Sequence, residues 1–187
     1  MTKGQNQVKE FMEFFGQDCP VEPTRIDEET AILRAKLILE EALETIVKGL
    51  GLRILLTEND GGVDISNNDL NYWMTNEKAI QFQKEKEVDL IELADGLADL
   101  AYVGEFGTAV AAGIDLEPVQ DEIHSSNMSK CWTENDLDEA KRLYPTAKIE
   151  NYGGGLYRLL REDGKVIKSP SYRPADIVPI LEKQIKG

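Results

Sequence analysis

Apolar residues recur at helical spacing from about residue 5 to 47 and again from about 77 to 130, and the pattern loosens after that. Val8, Phe11, Met12 and Phe15 share one face and predict a helix over residues 5–15, stopped by Gly16. QDCPVEPTRI, with Pro20 and Pro23, predicts an irregular loop. The run IDEETAILRAKLILEEALETIVKGLG then predicts a helix to about Val47, ended by Gly49 and Gly51. Asp27 or Thr24 suits its N-cap, and Glu28 and Glu29 suit the positive end of its dipole.

Residues 52–77 follow no single period. A turn signal lies at Asn59–Gly62, and the stretch reads as an insertion that is part helical. Helix is expected to resume near Glu77 and to run through QFQKEKEVDLIELADGLADLAYVGEFGTAVAAG to Gly113. Pro118 fits the first turn of the next helix, EPVQDEIHSSNMSK. DLDEAKRLYP predicts a short helix, and LYRLLREDGKVIKSPSY predicts a β-hairpin turning at Asp163-Gly164, before a terminal helix. The expected organisation is a helical domain over 1–135, with the insertion near 52–77. An extension over 136–187 is expected to pack on that domain or on a dimer mate. The fold class this pattern predicts is all-α, with a small C-terminal hairpin and tail.

Acids interrupt the apolar stripes of the two long helices. At 100° per residue, Glu44 lies about 40° from Glu40, Leu33 about 20° and Leu37 about 60°, with Glu41 flanking at about 100°. On the later helix Glu92 and Asp99 fall about 60° and 40° from Asp95, among Val88, Ile91 and Tyr102. If the two helices pack together, as many as six carboxylates converge. Like charges that close raise one another's pKa unless a cation intervenes. Oxygen-only ligands select a hard divalent ion, Mg²⁺ or Mn²⁺, and a carboxylate left over is able to orient or deprotonate a water. A lone EExxE is ordinarily a solvated helix face; two acid clusters on apolar stripes shift the balance toward a metal site.

Charge narrows the partners. Thirty-five acids against 21 Lys plus Arg leave a net charge of -14, which argues against binding a nucleic-acid polymer. Nucleotides remain compatible, because a bound cation inverts the local sign. Cys19 and Cys131 form no CxxC pair and read as reduced thiols of a cytoplasmic protein. The start, MTKGQNQVKEFMEFF, has no signal-peptide pattern, and no apolar run approaches the roughly 18–20 residues of a membrane span. His124 is the only histidine, so a Glu-x-x-His pair for di-iron is excluded; P-loop and G-x-S-x-G motifs are absent. Asn127-Met128-Ser129-Lys130 closes a helix and suits either a phosphate or an ordinary C-cap. Lys165 and Lys168 suit either a polyphosphate or solvent. Tyr72, Trp73, Tyr102 and Trp132 suit either base stacking or core packing.

The order EExxE, an acidic ExxD-type helix and NxSK resembles the all-α nucleoside triphosphate pyrophosphohydrolase superfamily, in particular its MazG-like and phosphoribosyl-ATP pyrophosphohydrolase-like members. Phe15-Gly16, Pro20, Pro23, the string ELADGLADLAYVGEFGTAVAAGID and DGKVIKSPSYRPADI carry the same likeness. The resemblance implies a four-helix-bundle core, a dimer or dimer of dimers, and Mg²⁺- or Mn²⁺-dependent cleavage between the α and β phosphates. It implies Glu41 and Glu44 as metal ligands and Glu40 as ligand or water-activating base. Glu92 and Asp95 match ExxD by spelling. Aligned on the tyrosine that follows, Asp99 takes the aspartate's place and Gly96 falls where the glutamate should be, so Glu92, Asp95 and Asp99 all stay as candidate ligands. Asn127 and Lys130 match substrate contacts; Tyr102 and Lys168 complete the candidate substrate-binding set. The expected substrate is a nucleoside triphosphate, a dNTP such as dUTP or dCTP. The alternatives are phosphoribosyl-ATP, or a helical module that senses nucleotide or metal without turnover.

Overall fold

The computed structural model describes residues 1–56 and 80–186. The turn expected at Asn59–Gly62, together with Tyr72, Trp73 and the helix start expected at Glu77, lies outside the described residues. The chain divides into two compact units: one of residues 3–20 and 24–113, the other of residues 1–2, 21–23 and 114–187.

The first unit is built on two long helices. Helix α1 (Lys3–Phe14) buries Gln5, Val8 and Met12 along one face and ends at Gly16, whose φ of 70° a side chain would resist. Helix α2 (Glu28–Glu44) starts where Asp27 accepts a 2.7 Å hydrogen bond from the Thr30 amide. It runs without a break into a π-helical turn, Thr45–Gly49. Strands β1 (Leu52–Leu56) and β2 (Ile80–Lys84) pair antiparallel, Ile54 opposite Phe82. Asp89 then caps α3 (Leu90–Asp99), which continues through a second π-helical stretch, Leu100–Phe106, into α4 (Gly107–Ala111). Val8, Met12, Val110 and Ala111 form the core of this unit, with Cys19, Ile26, Tyr102 and Phe106 packed against it.

The second unit contains α5 (Leu116–Met128), β3 (Trp132–Thr133), a 3-10 turn (Glu134–Asp136), α6 (Leu137–Leu143), β4 (Lys148–Gly153), β5 (Leu156–Leu160) and α7 (Val178–Lys186). Its antiparallel sheet has the order β3-β5-β4. Trp132, Ala140, Leu159 and Ile167 make its core, and the Trp132 indole donates to the Ile167 carbonyl at 2.9 Å.

Two expectations are corrected here, and one is extended. The chain is mostly helical, yet two small antiparallel sheets are present, so all-α is too narrow. QFQK does not belong to a helix: Ile80 and Phe82 alternate with glutamines, a period of two that pairs with β1, and helix starts only where Asp89 supplies a cap. A hairpin that the pattern did not announce joins β4 to β5 at Gly153–Gly155, where three successive glycines have positive φ, and the expected one turns at Asp163-Gly164, where Leu160 bridges Val166 antiparallel. The latter is a tight turn that returns Ile167 to Leu159, through a 2.8 Å amide-to-carbonyl bond.

Candidate active site

Helices α2 and α3 approach one another along small residues. A methyl on Gly96 would stand 2.6 Å from the Thr45 hydroxyl, and one on Gly49 would stand 2.6 Å from Leu93 Cα. Farther along, Gly104 meets Ile38 and Gly107 meets the Arg34 guanidinium. These pairs define an antiparallel register. Between the Thr45/Gly96 and Ile38/Gly104 contacts it sets Glu41 opposite Leu100 and Ala101, next to Asp99.

The electrostatics follow that register. The Glu41 carboxyl is half-buried, and its pKa is raised above its ordinary value, first by burial and then by the charges of Asp99, Glu44, Glu40 and Asp95. Thus four acids act on one carboxyl from two helices. Glu44 is half-buried and accepts a hydrogen bond from Lys48, one turn on. The Lys48 ammonium is held protonated by that bond, and the charges of Glu44, Glu92 and Asp95 add to the effect. Lys48 therefore bonds one candidate ligand, Glu44, and feels the charge of two more. Among the described residues, no three acidic, His or Cys side chains close on one point tightly enough to ligate an ion.

The helix faces differ from those drawn at 100° per residue. Glu40 is exposed, and Leu33 and Val47, which the 100° rule puts on its stripe, are 52% and 42% exposed. The face turned to α3 carries Arg34, Glu41 and Thr45 instead. The Thr45 hydroxyl donates to the Glu41 carbonyl at 2.7 Å, and the Leu50 amide donates to the Thr45 carbonyl at 3.0 Å, five residues back. That widened turn starts directly after Glu44, as the one on α3 starts directly after Asp99. π-Turns inside α-helices are frequent at functional sites because they re-aim the neighbouring side chains.

The other candidates fall as follows. Tyr102 packs its ring against Phe11, with centroids 5.8 Å apart, in the core of the first unit. Asn127 and Lys130 belong to the second unit, where the Lys130 ammonium donates to the Asn127 side-chain carbonyl at 2.7 Å. Lys168 sits 4.0 Å over the Tyr172 ring, a cation–π contact. Sequence reasoning passed over Lys48, Thr45 and Arg34. Lys48 is four residues beyond Glu44, the spacing of a helical ion pair, and that signal was available.

A mostly helical chain whose paired helices bring acids onto one carboxyl has the make-up of a helical phosphoric-anhydride hydrolase. The model of the phosphoribosyl-ATP pyrophosphohydrolase family matches residues 8–127. The chain belongs to this family, within the MazG-like superfamily of nucleotide pyrophosphohydrolases, and is an enzyme acting on phosphoric anhydrides. No curated protein matches the chain. Among the described residues, no single helix is long and apolar enough to cross a membrane.

Proposed function

We propose that the enzyme hydrolyses its nucleotide between the α and β phosphates, with phosphoribosyl-ATP as the first substrate to test. The observation that carries the reading is the crowding of Glu40, Glu44, Asp95 and Asp99 on Glu41. Such crowding disfavours ionisation unless a cation is shared, and an all-oxygen donor set fits Mg²⁺ or Mn²⁺. Glu41, Glu44, Glu92, Asp95 and Asp99 would hold the metal, by rotating inward as the Lys48 ammonium gives way. When bound, the metal neutralises charge on the departing pyrophosphate. Glu40 is exposed and left to accept a proton from the attacking water. Asn127 and Lys130 are the proposed substrate contacts of the second unit. Family membership favours phosphoribosyl-ATP; a dNTP such as dUTP or dCTP is the second reading. The β1–β2 insertion and the long tail favour it, since both exceed a compact phosphoribosyl-ATP domain.

Self-association belongs to the same reading. Ile32, Leu33 and Leu39 on α2 and Val47 in the π-turn after it, with Ile91 and Leu97 on α3, stay exposed on helices that carry the acids. Isolated apolar residues on a surface are normal, but a contiguous stripe along a central helix calls for a partner, and a second copy supplies one. A cytoplasmic setting fits the substrate class. Pyrophosphate release from phosphoribosyl-ATP and from a panel of dNTPs, in Mg²⁺ or Mn²⁺, tests the whole. No release from any of them ends the reading.

A further inference from the structure

The first unit contains a cavity of about 470 Å³ with a buried guanidinium in its wall. Arg34 is 7% exposed. Its Nη2 donates to the Gln17 side-chain carbonyl at 3.2 Å and to the Met12 sulfur at 3.7 Å. Its Nε has no hydrogen-bond partner, and among the described residues no carboxylate forms an ion pair with it. A buried charge is normally paired, because leaving water is expensive for an ion. Here burial depresses the guanidinium's proton affinity, and no carboxylate offsets it.

The surroundings are arranged around this group. Gly16 turns the chain so that Gln17 reaches Arg34, and the Gln17 amide donates to the Met12 carbonyl at 2.8 Å. Gly107 makes room, since a methyl there would stand 2.9 Å from Arg34 Nη1. Met12, Ile26, Leu33 and Ala111 give the cavity apolar walls, and Arg25 and Thr30 lie on its rim. Two carboxylates also line it. Asp27 is committed to capping α2, and Asp18 is exposed.

We propose that this cavity binds a compact oxyanion, a phosphate group above all, with Arg34 as its buried counter-charge. An arginine fork suits a planar or tetrahedral oxyanion better than any neutral ligand. Arg34 and Glu41 are seven residues apart in regular helix, so they share a face about 10 Å apart along the axis. The oxyanion is therefore either a free ion or the far end of a nucleotide held at the acids. Only the second source rests on the function proposed above.

Isothermal titration of the full chain separates these cases, using inorganic phosphate without metal and phosphoribosyl-ATP with Ca²⁺ to suppress turnover. Saturable phosphate binding that Glu41→Gln keeps and Arg34→Met weakens at least tenfold establishes a free-ion site. Nucleotide binding that Arg34→Met weakens tenfold, with phosphate silent, assigns the group to the substrate. Binding of neither probe, or equal binding by Arg34→Met and the unaltered protein, overturns the proposal. If Arg34→Met fails to fold, the Arg34 Nε–H resonance of the unaltered protein serves instead. It shifts on addition of whichever probe binds, and a resonance unmoved by both refutes the site.

Discussion

The charge of Asp99 on α3 reaches Glu41 on α2 across a helix contact that glycines bring close. Burial first, and Asp99 next, hold the Glu41 carboxyl above its ordinary pKa. A carboxyl whose folded pKa is raised favours folding while protonated. That contribution is complete below the unfolded value of about 4.3 and is lost as pH rises through the folded value. The metal-free protein should therefore melt higher as pH falls from neutral toward that window. Glu41→Gln should raise the neutral-pH melting temperature in chelator and flatten the slope. Its turnover should fall by about 100-fold or more. A melting profile in EDTA with no difference between the two proteins would show that the crowding is not felt.

Mg²⁺ or Mn²⁺ should reverse the trend. A ligand that binds only the folded state at 100 times its Kd adds about 2.7 kcal/mol of stability. Because ligating carboxylates must be ionised, the increment should shrink as pH drops through the raised pKa of Glu41. Calorimetric scans with and without metal at several pH values test this.

Lys48 stands beside Glu44 as a tethered cation. Lys48→Met should leave the melting temperature in chelator nearly unchanged, as expected of an exposed i,i+4 pair. It should tighten Mn²⁺ binding in the absence of nucleotide, since no ammonium then competes. Electron spin resonance of free Mn²⁺ reads this directly, and weaker binding would instead make Lys48 a helper of the metal.

Gly96 tolerates no methyl without movement, because the Thr45 hydroxyl would be 2.6 Å away. Gly96→Ala should cost about 1–3 kcal/mol as overpacking. Combining it with Thr45→Ala should recover part of the loss, so the pair should be non-additive in urea unfolding. Strict additivity would mean that the two helices do not meet there.

The exposed apolar stripe of α2 predicts association. Light scattering should give at least twice the 21.0 kDa chain mass, and Leu39→Lys should return it to the single-chain value. A native chain that elutes as a monomer at micromolar concentration contradicts the partnered stripe.

Much of the helical frame was legible beforehand. Asp27 as cap, Gly16 and Gly113 as stops, and the runs that became α1, α2, α5, α6 and α7 follow from local rules of capping, period and glycine conformation. The acids themselves were legible, but the apolar stripe that put Glu40 and Glu44 on an inner face turns outward, with Leu33 and Val47 exposed. β2 was misread because a five-residue strand shows its period only against its partner, and β1 lies far back in sequence.

The sequence by itself determined most of the helical runs, which carboxylates are available, and which family the order of motifs belongs to. Tertiary structure decided which face of α2 turns inward. Leu33, Leu39 and Val47 are apolar enough to have claimed that place, yet glycines on α3 and α4 let the backbones close on Arg34, Glu41 and Thr45. Close approach depends on what is missing from the opposite helix, and no periodicity along one helix records that. The same packing made Glu41 the crowded acid, made Lys48 its neighbours' counter-ion, and buried Arg34 beside a cavity.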